Sequence, residues 1–292
     1  MRFVVICAPR TGSSHLVSLL SGHPDMFVNG NVFDSRKLKR LYAFWPPEDL
    51  TPAVKKELTD LRSRDADAFL ERIFSTDYGR SNVGFKIFDG ENDEILNKLI
   101  EDSSIRKIVL YRSNVLANFS SSLVAAKVGM WGQKEGRSAP PPPKVKFDAE
   151  RFVRFHDEYT GFFRKVIERL NAANQIFYFL DYEKINEPYL LRSLIAFIGA
   201  DPEKEVRHEN QYKRLVKQNS SDILSRFSNA NKVRRFLLEH ELLHWMHEGE
   251  LDFAPLSDRG MLIPLTQVER DLVDRRPERA GVLDVSGPTR SR

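Results

Sequence analysis

The 292 residues, 41% hydrophobic and 29% charged, are enough to bury one large α/β core and have the balance of an ordinary globular protein. A formal net charge of +4 suits a small anionic ligand but is too weak to argue for nucleic acid, and there is no basic arm or zinc-finger spacing. The single cysteine, Cys7, excludes an internal disulfide, and no run approaches the ~20 apolar residues of a membrane span.

The chain opens on a strand pattern, so no signal peptide and a cytoplasmic location are expected. That first apolar run, Arg2 to Ala8, ends in Pro9-Arg10-Thr11-Gly12-Ser13-Ser14. Leu16, Val17, Leu19 and Leu20 follow at once at helical spacing. A buried strand, a tight turn and a helix opening on hydroxyl residues make an anion site. The first helical N–H groups lack partners there, and the macrodipole is positive. Arg10 adds a fixed charge and three hydroxyls can bond oxygen atoms, so the expected ligand is a phosphate or sulfate group.

A second strand, Met26-Phe27-Val28, ends at Asn29-Gly30-Asn31. The aromatic stretch Tyr42, Phe44 and Trp45, together with Trp131, could stack on a flat acceptor, although isolated aromatics more often pack in a core. Two helical patterns follow, roughly Thr51–Arg62 and Asp65–Phe74, the first with proline in its opening turn. Val83–Phe88 reads as a third strand, Asn92–Glu101 as an amphipathic helix and Lys107–Arg112 as a fourth strand. Asn114 can cap a helix from Val115 to about Val128.

Residues 132–147 contain Pro140–Pro143 and can be neither helix nor central strand; they are a lid or a surface connection. Asp148–Asn171 reads as a long helix and Ile176–Leu180 as a fifth strand with Asp181-Tyr182-Glu183 at its carboxyl end. A helix from Pro188 to Ile198 stops at Gly199. Beyond about Leu256 the composition is Arg-, Asp- and Pro-rich. Residues 1–255 are therefore expected to form one α/β domain and 256–292 a partly flexible tail. Strands separated by helices imply a P-loop NTPase-like parallel sheet flanked by helices, with its ligand at the strands' carboxyl ends. Arg10, Asn31, Lys86, Asp89 and Arg112 all end or follow predicted strands and should converge on one crevice.

The opening turn fails the nucleotide-hydrolase pattern GxxxxGK[ST]: the first glycine is absent and Ser13 stands where the lysine should be. A second basic element runs from Arg112, at a strand end, to Ser120, eight residues later on the next helix. Together these two could hold a second phosphate, the guanidinium as a planar fork and the hydroxyl as a further donor.

With Pro9–Ser14 and Arg112…Ser120 in this order, the chain resembles the sulfotransferases that use 3′-phosphoadenosine 5′-phosphosulfate (PAPS), most closely the bacterial, carbohydrate-type members. In that family a P-[KR]-[ST]-G-[ST]-[ST] loop holds the 5′-phosphosulfate, and an Arg and a Ser eight residues apart hold the 3′-phosphate. Tyr182-Glu183 is similar to the family's Tyr-Glu pair, whose Tyr lies near the adenine, and Lys217-Gln218-Asn219 to a segment near the 3′-phosphate. The resemblance implies Arg10, Thr11, Gly12, Ser13, Ser14, Arg112, Ser120, Tyr182, Lys217, Gln218 and Asn219 as donor-binding residues. It also implies sulfuryl transfer to the hydroxyl of a carbohydrate, glycolipid or other small acceptor, with Arg10 and Lys86 neutralising charge and no metal.

The acceptor hydroxyl wants a general base. Here the sequence departs from the family: Asn31 stands where many bacterial members have Glu, and Phe88 where cytosolic members have His. Asp89 is the expected base, with Asp34, Glu91, His15 and His23 as further candidates and a turn aspartate as its plainer reading. The absent base also leaves open a non-catalytic nucleotide-binding protein. A competing motif is His240-Glu241-Leu242-Leu243-His244, an HExxH that on a helix would place two zinc ligands on one face, with His247 or a later Glu as a third. Val233–Met246 carries an amphipathic pattern that a packed terminal helix would also explain.

Overall fold

The computed structural model describes residues 1–34, 45–129, 133–134, 141–206, 215–216 and 219–248. Strand β1 (Arg2–Cys7) leads through a five-residue turn into α1 (Ser13–Ser21), then β2 (Met26–Asn31), α2 (Pro52–Arg64), α3 (Ala66–Ser75), β3 (Asn82–Phe88) and α4 (Asp93–Glu101). Next come β4 (Ile105–Tyr111), α5 (Val115–Val128), β5 (Gln133–Lys134), α6 (Ala149–Ala172), β6 (Phe177–Asp181), α7 (Pro188–Ile198), β7 (Leu215–Val216) and α8 (Ala230–Glu239).

Five strands form one sheet in the order β2-β3-β1-β4-β6, every pairing parallel. β5 and β7 make a separate antiparallel pair. The expected P-loop-like α/β sheet is therefore present, with edges a residue or two from their predicted places. β2 runs on to Asn31 with a shift of register after Val28, and β4 starts at Ile105. The tail 256–292 and most of loop 132–147 up to Pro140 lie outside the described residues.

Side chains alternate across the sheet and divide the core in two. Val4 and Ile6 join a large cluster completed by α3, α4, α5, α6 and α8, whereas Phe3, Val5 and Cys7 pack under α1 and α7. Burial pushes the Cys7 thiol up to about 12, as befits a core residue. In β3, Val83, Phe85 and Ile87 belong to the large cluster, so the alternation sends Gly84 and Lys86 to the α1 side.

β1 lies at the centre, and its connection runs to β2 on one side while that of its neighbour β4 runs to β6 on the other. Such a switch point opens a crevice at the carboxyl ends of the strands. Cys7 is level with Phe88 of β3 and Leu110 of β4, so the turns after all three strands meet there. Among the described residues no helix is long and apolar enough to cross a membrane.

Close packing of β1 on β3 depends on the absence of a side chain at position 84. A Cβ there would lie 2.4–2.6 Å from the Phe3 ring, which is level with Gly84 in the sheet. Gly84→Ala should lower stability by about 1–3 kcal/mol through overpacking, read as a fall in the urea midpoint. An unchanged midpoint would mean that the ring moves at no cost.

Candidate functional site: two cationic cradles at the switch point

The turn after β1 is bent by two left-handed residues, Arg10 (φ 68°) and Gly12 (φ 78°). Gly12 starts α1, and no side chain caps that helix, whereas Thr51, Asp65, Asn92, Asn114 and Asp148 cap α2 to α6. Gly12 also has no room for a Cβ, which would lie 2.4 Å from the Tyr182 ring. Thr11 is fully buried and its hydroxyl donates to the Ala8 carbonyl at 2.7 Å, which closes the turn. Lys86 is only 4% exposed, and its ammonium donates to Ser14 Oγ at 2.9 Å and Ser13 Oγ at 3.2 Å. Thus the hydroxyls opening α1 and a buried lysine of the neighbouring strand share one spot.

A second cradle adjoins the first. Arg112, 5% exposed, donates from Nη1 to the Arg10 carbonyl at 2.8 Å and lies over the Tyr182 ring at 4.3 Å. Arg10 itself donates from Nε to Ser121 Oγ at 2.9 Å, and Asn219 Nδ2 donates to the same hydroxyl at 3.3 Å. Ser120, also fully buried, accepts a hydrogen bond from Arg226 Nη1 at 3.0 Å. The carboxylate of Glu248 pairs with both Arg112 and Arg226. Arg10, Ser14, Lys86, Arg112, Ser120, Tyr182 and Asn219 therefore lie in these two adjoining cradles, while Lys217 and Gln218 lie outside the described residues. Arg226, Ser121 and Glu248 carried no signal in the sequence reading: they reach the site from segments with no matching pattern, apart from Ser121 beside Ser120.

The candidate bases separate clearly. Asn31, level with Lys86 in the sheet, donates from Nδ2 to Glu91 Oε1 at 2.5 Å, and the Phe88 N–H donates to Glu91 Oε2 at 3.0 Å. Burial, first of all, raises the Glu91 carboxyl to about 7, with Asp34 raising it and Lys86 lowering it further down the order. Asp89 is more exposed; partial burial and then Asp93 raise its carboxyl too, and the charges acting on it are Asp93, Lys165 and Glu158 of α4 and α6. His23 lies beyond the other end of α1: its Nδ1 accepts from the Asp25 N–H, so Nε2 donates to the Asp201 carbonyl at 2.9 Å. His15 pairs with Asn186 at 2.6 Å. Trp45 is buried, donates to Asn29 at 2.8 Å and belongs to the core, so the platform reading does not hold for it; Tyr42, Phe44 and Trp131 lie outside the described residues.

The zinc reading fails on geometry. α8 ends at Glu239, short of the predicted helix to Met246. Glu241 takes φ 59°, its N–H bonds the Leu238 carbonyl, and the Leu242 N–H bonds that of Leu237 at 2.7 Å. That pair of bonds is the Schellman stop, here with a glutamate in the place glycine usually takes. His240 therefore packs on Phe236 while His244 sits beyond the break, beside Trp245, and one continuous face no longer carries both. Among the described residues no three His, Cys, Asp or Glu side chains group as metal ligands.

Arg10 holds a left-handed conformation that an L side chain adopts at a cost of roughly 1–2 kcal/mol. Both Arg10→Ala and Arg10→Gly lose the bond to Ser121, but only the glycine relieves the backbone. Arg10→Gly should therefore be the more stable by about 1 kcal/mol in denaturant unfolding. Equal midpoints would show that the turn is relaxed.

No protein-family profile matches this chain. It is similar to Nodulation protein H of Rhizobium meliloti (strain 1021), 22% identical over 203 residues that cover 68% of this chain and 77% of that protein. Nodulation protein H of Rhizobium tropici is 23% identical over 203 residues, 68% of this chain and 75% of its own length. Among solved structures, a sulfotransferase from Alicyclobacillus acidocaldarius aligns with a TM-score of 0.44 at 17% identity, covering 85% of this chain and 96% of that one. The chain is thus similar, over two thirds of its length, to two nodulation H proteins, and both cradles lie on its five-stranded parallel sheet.

Proposed function

We propose that this chain is a sulfotransferase that moves the sulfuryl group of PAPS to a hydroxyl of a carbohydrate, glycolipid or other small acceptor. One observation carries the reading. Lys86 meets both hydroxyls that open α1, while Arg112 binds the carbonyl of Arg10 in the same turn, so two cationic cradles share one loop. A ligand with two separated anionic groups fits that arrangement, and the motif pair Pro9–Ser14 and Arg112…Ser120 matches the resemblance described above. The acceptor class rests on the resemblance to carbohydrate-type members.

In the transfer, the acceptor oxygen forms a bond to sulfur as the bond from sulfur to the 5′-phosphate oxygen breaks, leaving adenosine 3′,5′-bisphosphate. The electron pair goes to the phosphate oxygen. Lys86 and the uncapped start of α1, with Gly12, Ser13 and Ser14, stabilise that developing charge, and the resemblance adds Arg10 and Thr11 of the same turn. Arg112 and Ser120 hold the 3′-phosphate, Tyr182 flanks the adenine, and Lys217, Gln218 and Asn219 border that end. For the proton, Glu91 is a better base than Asp89. Its carboxylate is fixed by Asn31 and the Phe88 N–H beside Lys86, and a group near 7 is poised to take a proton at neutral pH.

Calorimetry should show adenosine 3′,5′-bisphosphate binding more tightly than AMP, and no preference would refute the donor site. Labelled sulfuryl transfer to an acceptor panel then separates an enzyme from a mere binder, and Arg10→Ala should abolish it. The base gives a second test. Glu91 acts only when deprotonated, so kcat/KM should rise about tenfold per pH unit below about 7 and level off above it. Glu91→Gln should remove both the rate and that limb, and Asp89→Asn should leave both intact. The reverse pattern would assign the base to Asp89.

A further inference from the structure

Arg112, Arg226, Ser120 and Glu248 meet in one group. Arg226 is 6% exposed and Glu248 only 2%, and the Glu248 carboxylate lies 3.0 Å from Arg226 Nη2 while also pairing with Arg112. The remaining Arg226 donors are spoken for: Nη1 bonds Ser120 Oγ at 3.0 Å, and Nε bonds the Ser220 carbonyl at 2.9 Å. A buried carboxylate therefore occupies the place where the donor reading, on which this argument rests, puts a phosphate.

Two buried guanidiniums share the one carboxylate that pairs with them directly, while Asp181 and Glu183 act on Arg112, and Asp222 on Arg226, only electrostatically. Burial and then the neighbouring Arg112 depress the proton affinity of Arg226, with Tyr182 and Asp222 opposing them and Arg10 adding to them. A phosphate monoester brings nearly two negative charges and three acceptor oxygens to the same fork. It suits the pair of arginines better than Glu248 does.

The backbone that delivers Glu248 is anchored independently of its side chain. Asn114 Nδ2 donates to the carbonyls of Trp245 and His247 at 3.3 and 3.2 Å, and the Glu248 N–H bonds the Ser221 carbonyl at 2.9 Å. Displacing the carboxylate from the arginines therefore need not break these backbone bonds.

We propose that Arg226 is the second guanidinium of the 3′-phosphate site and that Glu248 is an internal ligand which the donor's 3′-phosphate displaces. Glu248 then taxes every nucleotide that carries a 3′-phosphate and no other. A site filled most of the time by its own carboxylate lowers apparent affinity by the fraction vacant.

Calorimetry on the full chain tests this with adenosine 3′,5′-bisphosphate and AMP as probes. Glu248→Gln should tighten the bisphosphate by about tenfold or more and leave AMP unchanged. Arg226→Gln should weaken the bisphosphate by a similar factor, again without effect on AMP. If Glu248 only braces the fold, Glu248→Gln weakens both nucleotides together, and the proposal is overturned. Glu248→Asp keeps the charge but shortens its reach, so if the Gln variant does not fold, the Asp variant should show the same selective gain in smaller measure. A wild-type chain that prefers the bisphosphate, with no gain in either Glu248 variant, overturns this proposal alone. Wild-type and variant chains that all fail to prefer it overturn the donor reading as well.

Discussion

Like charges crowd the carboxyl end of the central strand, and much of the surrounding structure is there to make that tolerable. Arg112 and Arg226 are both buried, and Arg10 is close enough to act on Arg226 electrostatically. Guanidiniums taken out of water are costly unless an anion and hydrogen-bond acceptors replace the solvent. Glu248 supplies the anion, and the carbonyls of Arg10 and Ser220 with the hydroxyl of Ser120 supply the acceptors. Lys86 meets the same demand with two serine hydroxyls and the face of Phe88, 5.1 Å away.

The cations sit on rigid supports. The Arg112 N–H bonds the Tyr159 hydroxyl at 2.8 Å, and that hydroxyl donates back to the Arg112 carbonyl at 3.3 Å. Tyr159 is itself packed against Tyr111, Phe155 and Phe163 in the large core. One residue on, the Ser113 N–H bonds Asp181 at the end of β6, and Asn114 caps α5. The turn after β4 is thus held by α6, β6 and its own helix together. Tyr182 completes the frame by lying over Arg112 while its ring fills the space beside Gly12, so one aromatic touches both cradles. Sites built this way keep their donors in place before a ligand arrives.

What could be read in the sequence follows from how local each feature is. The strand, the turn and the helix at 2–21 are contiguous, and their periodicity changes from two to helical within a few residues, so the first cradle was legible. Arg112 and Ser120 lie eight residues apart on one strand-to-helix segment and were legible for the same reason. Arg226 meets Ser120 across 106 positions. It comes from a short 3₁₀ turn, Leu224–Arg226, that has no periodic signature, so nothing local pointed to it. Glu248 is equally remote. The HExxH motif shows the opposite error. Its letters matched, but the helix that gives them meaning stops at Glu239, and without glycine after it the stop had no signal in the letters.

The departure at Asn31 has a physical account once Glu91 is placed. The Asn31 amide donates to a Glu91 oxygen at 2.5 Å, so these two positions are one unit. A carboxylate at 31 would face another carboxylate at hydrogen-bond distance, and the pair could not both ionise near neutral pH without large cost. Having Asn at 31 removes that conflict and fixes the Glu91 oxygen by an N–H bond. The carboxylate is thereby carried on the turn after β3, the strand that also carries Lys86, rather than on β2. One strand and its following turn then bring the Lys86 ammonium and, five residues later in the chain, the Glu91 carboxylate. Their spacing is set by the backbone of a single turn, to which the Phe88 N–H ties Glu91 directly.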